Sequence, residues 1–541
     1  MAILAFLPIL TTLILMMVFN WPAKYSLQVS WIMAGTFAFF FWDIKIKALL
    51  ASSIFGMISS LDVLVIILGA ILLMNTLKAS GSTSAINRGF LNISPDKRVQ
   101  ACIIGFSFCS FIESAAGFGT PAALAGPLMV SLGFPPMAAA MIALIFDSTS
   151  VSFVAVGTPV TTGLALLGKS GDAAFTADFA FWTALPHAIM AIFLPLIVLL
   201  MTTKFYSKEK SFKPALQAAP FALFTGLTFA VPLLLVSMFI GYEFASLLAS
   251  LFSILVTVIA AKNNFLTPKK AWDFGNPAEW DSSWLATTKI APIKSSKMSL
   301  IKAWIPYIMV AVILVVTRIP QLHVKGFLTS GPFVINAKNI LGFDNLNWSF
   351  KWAYLPGTFF ILVAIITNII HKMNFKQVKE SWLNTIKQVS GGAMALLFGL
   401  ALVEILKFKN IDEISMLDTM ANALSKVGEK LYILIAPFIG VLGAFVSGSA
   451  TVSMTLFSNL QYNAATTLNI STVFVMAMQC VGSAIGNMVC INNAVAASAT
   501  IGTSGKEAKL IKTNIIPMII YCLVTVIIFY IVTALGIRPV E

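Results

Sequence analysis

Long apolar runs recur along the chain of 541 residues, and most have the length of a bilayer crossing. A helix that crosses the hydrocarbon core needs about 20 mostly apolar residues, because backbone polar groups must bond to one another there. The runs lie at Leu7–Asn20, Leu27–Trp42, Leu61–Leu77, Phe179–Met201, Pro220–Ile240, Phe244–Ala261, Trp304–Val316, Leu355–Ile370, Ser390–Leu406 and Ile515–Leu535. They predict an all-α polytopic membrane protein.

The scarcity of charge supports this prediction. Only 10% of the residues are charged and 58% are hydrophobic, whereas a soluble domain carries about 25% charged residues to cover its surface. Membrane lipid is therefore the expected partner for much of the surface.

The net charge of +14 is concentrated in loops between the apolar runs. Lysines cluster at Lys204–Lys213, Lys262–Lys302, Lys372–Lys387 and Lys506–Lys512, as expected for cytoplasmic loops of a membrane protein. Lys407–Lys430 balances lysines against acids, which suits the outer face, and the alternation predicts both termini outside. The charge thus indicates topology, and no nucleic-acid partner is expected.

Similar material follows loops on opposite faces, which predicts two inverted repeats. Gly69–Lys78 resembles Gly399–Lys407, Phe111 to Ala116 resembles Phe445 to Ala450, and Val156–Val160 corresponds in spacing to Ile491–Val495. Inverted repeats with interrupted helices are typical of secondary transporters.

We expect a first inverted repeat at 1–203, with a broken-helix region at 99–168. A linking helical pair with a cytoplasmic loop follows at 204–302. A second inverted repeat occupies 303–541, with a broken-helix region at 431–502. Broken helices and re-entrant hairpins would lie in both repeats, and the linking pair would be an extra central pair.

The two broken-helix regions are rich in Gly, Ser, Thr, Asn and Pro, and they contain no Lys, Arg or His. Interrupted helices leave free N–H groups that carry partial positive charge, so they can hold a carboxylate without an arginine. Small residues that merely allow close helix packing are the alternative explanation, but it does not account for Thr-Pro pairs repeated in mid-membrane. The candidate substrate-binding residues are Ser114, Gly117, Gly119, Thr120, Gly157, Thr158, Ser447, Gly448, Ser449, Thr451, Asn487, Asn492 and Asn493.

Glu113 and Asp147 are the only acids in these regions. An acid inside a membrane is costly and is a functional candidate by default, since burial disfavours its charged form and lets it carry a proton. Both are therefore candidate proton-coupling residues. A structural acid bonded to nearby N–H groups is the alternative.

The sequence gives little support for a catalytic site or a metal-binding site. The five cysteines lie in apolar segments without metal-ligand spacing, so no metal is expected. An intramembrane enzyme would need a nucleophile with a base, and the polar regions lack histidine. We therefore expect no enzyme activity and no cofactor.

Several segments of the two broken-helix regions resemble those of a known family. Phe111–Pro121 with Ala122, Leu132–Pro135 and Gly157–Pro159 resemble the signature stretch of the L-lactate permease family. Two later segments resemble its second conserved region, Phe445 to Phe457 and Gly482 to Ala497. The resemblance implies a multi-pass transporter of the bacterial inner membrane, a symporter of lactate, often also of glycolate, driven by protons.

The chain departs from that family pattern in two places. Ala450 stands where the family often has Asp, and Asp147-Ser-Thr-Ser150 stands where it often has Asn-Thr-Ala-Pro. One carboxylate is therefore lost in the second half and one is gained in the first.

The sequence thus predicts a secondary active symporter that imports L-lactate and related small 2-hydroxy monocarboxylates with protons. A sodium-coupled transporter of another small carboxylate is the alternative, with sodium held by backbone carbonyls beside Asp147 or Asn487. A passive channel is a further alternative. The exact carboxylate, the stoichiometry and the choice between monomer and homodimer stay open.

Overall fold

The computed structural model describes residues 1–541 except 20, 22, 91–92, 117–119, 287–297, 319–321, 410–413, 427, 504–505, 538 and 540–541. Its α-helices are α1 Ala2–Met17, α2 Ala23–Phe41, α3 Ile46–Ala79, α4 Ser82–Phe90, α5 Lys97–Gln100, α6 Cys109–Ala116, α7 Thr120–Ser131, α8 Pro136–Asp147, α9 Val154–Leu166, α10 Ala173–Phe205, α11 Lys213–Gln217, α12 Ala219–Phe239, α13 Ala245–Lys262, α14 Leu300–Arg318, α15 Val324–Leu328, α16 Pro356–Ile370, α17 Phe375–Lys407, α18 Met416–Ser425, α19 Glu429–Ser447, α20 Ala450–Leu468, α21 Thr472–Gly486, α22 Ile491–Ile501 and α23 Glu507–Ala534. A π-helix, Ala101–Phe108, leads into α6. Strands β1 Ile335–Ala337 and β2 Trp348–Phe350 form one antiparallel pair.

Six of the described helices are long and apolar enough to cross a bilayer, namely α3, α10, α12, α13, α17 and α23. A bent pair, α8 with the segment that ends in α9, makes a seventh when it is counted as one span. Shorter apolar stretches lie in α1, α14, α16 and α21. The apolar runs of the sequence fall on these helices and on α2, so the protein is an all-α, multi-pass membrane protein.

Side-chain burial follows the pattern of a protein dissolved in lipid. Large apolar side chains such as Phe239, Ile301 and Ile369 lie on the outside, each at least 75% exposed. Amides such as Gln461 and Gln479 are fully buried and bond to each other across α20 and α21. Lipid tails accept apolar side chains, so polar groups gather between the helices instead.

The centre of the molecule joins the two predicted repeats through backbone contact. A Cβ atom at Gly56 of α3 would lie 2.7 Å from the backbone of Ala401 in α17, and one at Gly69 would lie 2.2 Å from the carbonyl oxygen of Gly357. Glycine is required at such approaches because any side chain would separate the helices. Helix α3 therefore packs backbone to backbone against both α16 and α17.

The two broken-helix regions, 99–168 and 431–502, are called the first and second polar regions below, and they have the same order of elements. In the first, α6 and α7 flank residues 117–119, and α8 and α9 flank a bend of 57°. In the second, α19 and α20 flank Gly448 and Ser449, and α21 and α22 flank a turn at 487–490. The broken helices predicted from the sequence are present, and the inverted relation between the two halves stays a prediction.

The predicted linking pair corresponds to α12 and α13, which pack against each other. Helix α12 lies on α10, where a Cβ at Gly226 would meet the carbonyl oxygen of Ala191 at 2.2 Å. Helix α13 lies on α6 and on the π-helix, where Ser253 and Ser107 hydroxyls bond at 2.8 Å. The pair thus supports the first polar region from one side.

Candidate functional site

The bend between α8 and α9 is built from backbone that ordinary helices cannot adopt. After α8 ends at Asp147, a 3-10 turn, Val151–Phe153, is followed by left-handed φ values at Ala155 (43°), Val156 (60°) and Gly157 (74°). A β-branched residue such as Val156 avoids this region for steric reasons, so packing must hold it there. The regular part of α9 then begins at Thr158.

Glycine at position 157 has a second cause. A Cβ atom there would lie 2.4 Å from the ring of Tyr242, which comes from the connection between α12 and α13. The hydroxyl of Tyr242 also bonds Thr161 Oγ1 at 3.1 Å. The linking pair therefore packs directly against the bend between α8 and α9, which is called the first break below.

Thr158 and Pro159 open the regular part of α9, as the sequence predicts, but Thr158 bonds differently from a helix cap. Its hydroxyl donates to the Ala155 carbonyl oxygen at 2.6 Å, which closes the left-handed turn on itself. Pro159 lacks an N–H group and therefore loses nothing at this position.

The second break, at Gly448 and Ser449, has the predicted form. Gly448 ends α19 in a left-handed conformation with φ of 75°. Ser449 caps α20 by accepting from the N–H of Val452 at 3.3 Å. The N–H groups of Ala450 and Thr451 precede this bond, at the positive end of a helix of 19 residues.

A third interruption separates α21 from α22. Asn487 follows the last residue of α21, and α22 begins at Ile491 after a short turn. The side-chain amide of Asn493 donates to the backbone carbonyl of Asn487 at 3.4 Å. The side-chain oxygen of Asn487 is buried and accepts no hydrogen bond within the part of the chain that the structure describes.

These breaks enclose one small cavity between the two polar regions. Its walls come from the end of α6, the first break, the second break and the end of α21. Its volume is about 20 Å³, which is room for about one water molecule. Its lining residues are Glu113, Val151, Val154, Ala155, Thr158, Gly448, Ser449, Ala450, Thr451 and Asn487.

Six residues singled out in the sequence line this cavity, namely Glu113, Thr158, Gly448, Ser449, Thr451 and Asn487. They lie far apart in the chain and come from both polar regions. No lysine or arginine is among the described lining residues, so N–H groups at a helix start are the groups of the described lining that can offer partial positive charge. The cavity therefore has the polarity expected of a small anion site.

The remaining candidates lie beside the cavity or outside the described residues. The hydroxyl of Ser114 donates to the Ser110 carbonyl at 2.6 Å, and that of Ser447 donates to the Gly443 carbonyl at 2.7 Å. Gly157 and Asn493 flank lining residues. Gly117 and Gly119 lie outside the described residues, and for Thr120 and Asn492 the structure describes only the backbone, in α7 and α22.

The two acids contact each other. Glu113 lies in α6 and Asp147 at the end of α8, with exposed fractions of 1% and 2%. Their carboxyl groups are joined by a hydrogen bond, and Cys109 lies beside both. A hydrogen bond between two carboxyls requires a proton on one of them, because an ionised carboxylate only accepts. Two carboxyl groups this close in a buried site favour a proton on one of them, which makes the pair a candidate proton site.

Three apolar lining residues, Val151, Val154 and Ala155, carry no chemical signal and were not singled out in the sequence, whereas Ala450 was noted only as a departure from the family pattern. Val151 packs with Ala450 and Ala484 across the two regions, while Val154 and Ala155 belong to the first break. Such residues set the shape of a site, and shape depends on tertiary contacts rather than on residue type. Their proximity to a break is the only sequence signal that pointed to them.

The comparisons with known proteins agree on one family. A family model described as L-lactate permease matches residues 1–536. A putative L-lactate permease of Haemophilus influenzae is 33% identical over 475 residues, which cover 84% of this chain and 84% of that protein. An L-lactate permease of Streptococcus iniae is 28% identical and covers 88% of this chain and 93% of its own length. Among solved structures, the Alcanivorax borkumensis YdaH transporter matches 89% of this chain and 86% of its own, at 13% identity and a TM-score of 0.43.

Proposed function

The chain belongs to the L-lactate permease family, and from this membership we propose that it imports L-lactate and related small 2-hydroxy monocarboxylates together with protons. It is a permease by family, and the transported compound that the family name indicates is lactate. A bacterial inner membrane is the location we propose for this multi-pass protein. Secondary active symport by alternating access is the mechanism we propose.

The observation that carries the proposal is the cavity between the broken helices. The Ala450 and Thr451 N–H groups at the start of α20 offer donors and partial positive charge to one carboxylate. Ser449 and Thr451, which both carry a hydroxyl group, line the same wall. A site with this charge favours a single carboxylate over a neutral molecule, and its size favours a short one.

Asn487 gives a reason for selecting 2-hydroxy acids. Asn487 lines the cavity, and its buried side-chain oxygen accepts no hydrogen bond from a described residue, so this oxygen lacks compensation for the water it has lost. The 2-hydroxyl of lactate is a hydrogen-bond donor that would satisfy this oxygen. We assign the recognition of the 2-hydroxyl to Asn487 on this ground.

The carboxyl pair supplies the proton site. Glu113 lines the cavity, whereas Asp147 lies behind it. A substrate carboxylate is repelled by an ionised Glu113 and tolerated by a protonated one. Proton binding and substrate binding therefore favour each other, which is the thermodynamic requirement for symport.

The small volume means that the cavity walls lie close together. A three-carbon acid needs several times the room of one water, so the walls must separate to admit it. Alternating access requires such closed forms between the two open ones. We take the described conformation as one of them.

The decisive experiment is uptake of labelled acids by proteoliposomes under imposed gradients. A proton gradient alone is expected to drive accumulation of lactate and glycolate above the external concentration. Propionate, which lacks the hydroxyl, is expected to be transported poorly. The absence of lactate uptake by well-inserted protein would contradict the proposal, and uptake without accumulation would indicate a channel.

Sodium coupling is the second candidate, and the same buried oxygens favour it. Asp147 and Asn487 each present a buried oxygen that bonds to no described donor, and Na⁺ sites in transporters are built from such oxygens and from carbonyls at helix breaks. Replacing sodium by choline on both sides separates the candidates. Accumulation that persists in choline and follows the proton gradient supports protons, whereas its loss supports sodium.

A further inference from the structure

Ser152 lies on the first break between two cavity-lining residues, Val151 and Val154, but its side chain points away from the cavity. Its hydroxyl donates to the carbonyl oxygen of Cys480 in α21 at 3.1 Å. It also bonds the Nε2 atom of His187 in α10 at 2.8 Å. Ser152 thus connects the first polar region to the second.

The bond directions in this group follow from one fact, that a backbone carbonyl can only accept. The single proton of the Ser152 hydroxyl goes to Cys480, so Nε2 of His187 must donate to Ser152. The Nδ1 atom of His187 then carries no proton, and it accepts from the Tyr521 hydroxyl at 2.5 Å. The result is a continuous, directed chain from α23 through α10 to the break and on to α21.

All four residues are fully buried, with no exposed surface. The rings of Phe153 and Tyr521 contact the His187 imidazole edge-on, with centroids 6.2 and 5.6 Å away. Water therefore cannot replace any bond in the chain, and breaking one leaves a buried polar group unpaired.

We propose that Tyr521, His187 and Ser152 form a positioning chain that clamps the first helix break onto α21 and so holds the cavity closed. On the cavity side of the same turn, Val151 packs against Ala450 and Ala484. The clamp and this packing together fix the distance between the two walls. The inference rests on the proposed function in treating the cavity as the substrate site, and His187 acts through the break rather than on the substrate.

The clamp has to open in each transport cycle, because the cavity it closes is too small for a three-carbon acid. Removing the Ser152 bond is expected to favour open forms by roughly five-fold, the factor that one neutral hydrogen bond contributes. The apparent affinity of a ligand rises with the population of binding-competent forms. A weakened clamp is therefore expected to lower the lactate concentration for half-maximal exchange, by up to about five-fold.

The test uses Ser152→Ala and a matched control on the same acceptor. Ser483 also donates to the Cys480 carbonyl, at 2.7 Å, but from within α21 itself. Ser483→Ala therefore removes one hydroxyl bond from the same carbonyl and leaves the connection between the regions intact. Both changes delete a single oxygen from a fully buried site.

The first readout needs no substrate. In proteoliposomes, a membrane-permeant maleimide is applied and labelling of each native cysteine is quantified by mass spectrometry. Labelling of Cys480 relative to Cys102, which lies in the π-helix, is expected to rise about five-fold in Ser152→Ala and to stay at the wild-type rate in Ser483→Ala. Equal rates in Ser152→Ala and the wild type, or an equal rise in both variants, would overturn the proposal.

Tyr521→Phe supplies a second, independent variant. It is expected to raise Cys480 labelling, and the double variant with Ser152→Ala is expected to label no faster than Ser152→Ala alone, because the chain acts as a unit. Effects that multiply would show independent contacts and contradict the chain. If the wild type fails to transport lactate while these labelling results hold, the proposed function fails and the clamp stands.

Discussion

The Glu113 carboxyl bonds the Asp147 carboxyl inside the protein, and only Glu113 faces the cavity. The bond joins the end of α6 to the end of α8, so it connects both interrupted elements of the first polar region. One acid thus lines the cavity, and the other is in contact with the first acid.

We predict that Glu113→Gln abolishes proton-driven accumulation and preserves counterflow. The glutamine mimics the protonated carboxyl permanently, so lactate still binds and exchanges between equal pools, but no proton is released. Accumulation under a pH gradient and counterflow are measured in the same proteoliposomes. Glu404→Gln is the control, because Glu404 pairs with Lys407 at 2.9 Å in α17, away from the cavity.

Full pH-driven accumulation by Glu113→Gln would transfer the coupling role to Asp147. Asp147→Asn, tested in parallel, then becomes the decisive variant. Loss of accumulation in that variant alone would identify the inner acid as the proton carrier.

Ser449→Ala is predicted to weaken lactate binding. It removes both a hydroxyl of the cavity wall and the cap of α20, a loss of about 1 kcal/mol, so KM is expected to rise roughly five-fold with little change in the maximum rate. Ser471→Ala is a matched control, since Ser471 caps α21 with a bond of the same 3.3 Å and does not line this cavity. A similar rise of KM in both variants would assign the effect to helix stability. Thr120→Ala is expected to resemble Ser449→Ala.

Asn487→Leu is predicted to reduce the preference for lactate over propionate. The leucine keeps the approximate volume but removes the acceptor, so lactate loses one hydrogen bond and its relative kcat/KM falls roughly ten-fold. Competition between the two labelled acids in one vesicle population measures the ratio. An unchanged ratio with normal expression would contradict the assignment of the 2-hydroxyl to Asn487.

Gly157→Ala is predicted to destabilise the protein more than Gly168→Ala. Both glycines have positive φ values, 74° and 69°, so alanine costs about 1–2 kcal/mol of backbone strain at either position. Only at position 157 would the added Cβ also meet the Tyr242 ring, whereas position 168 is open. Thermal unfolding in detergent compares the variants. Equal Tm values would show that the linking pair does not constrain the break.

We also predict that a substrate-bound structure shows the carboxylate on N–H and hydroxyl groups of α20. The described cavity lining contains no basic side chain, and a helix N-terminus suffices for a small anion. A lysine or arginine paired with the bound carboxylate would contradict this prediction.

The positions of the breaks were predictable because they depend on local chemistry. Gly448 and Ser449 end one helix and begin the next through their own backbone and side-chain preferences. The left-handed Val156 was not predictable, because its residue type opposes that conformation and only distant packing enforces it.

His187 shows the same limit for the site. In the sequence it is the single histidine of an apolar span, a pattern that is typical of a packing residue. Its partners are Ser152 and Tyr521, and Tyr521 is separated from it by more than half of the chain. Contacts of this kind follow from the arrangement of helices, so sequence patterns that are read locally do not contain them.

The chain departs from the family pattern at Ala450 and Asp147, and these two residues lie at different positions relative to the cavity. Ala450 lines the cavity, so an aspartate there would line it too, whereas Asp147 is not among the lining residues and contacts Glu113. The carboxyl group that the second half lacks at position 450 has a counterpart in the first half, at Asp147, which does not line the cavity.

The backbone contacts of α3 with α16 and α17 have a mechanical consequence. Helices that touch at Gly56 and Gly69 leave no space for side chains to reorganise between them, so sliding there would require the helices to part. We therefore expect α3, α16 and α17 to move as one unit, and we expect the motions of a transport cycle to take place in the short, interrupted helices.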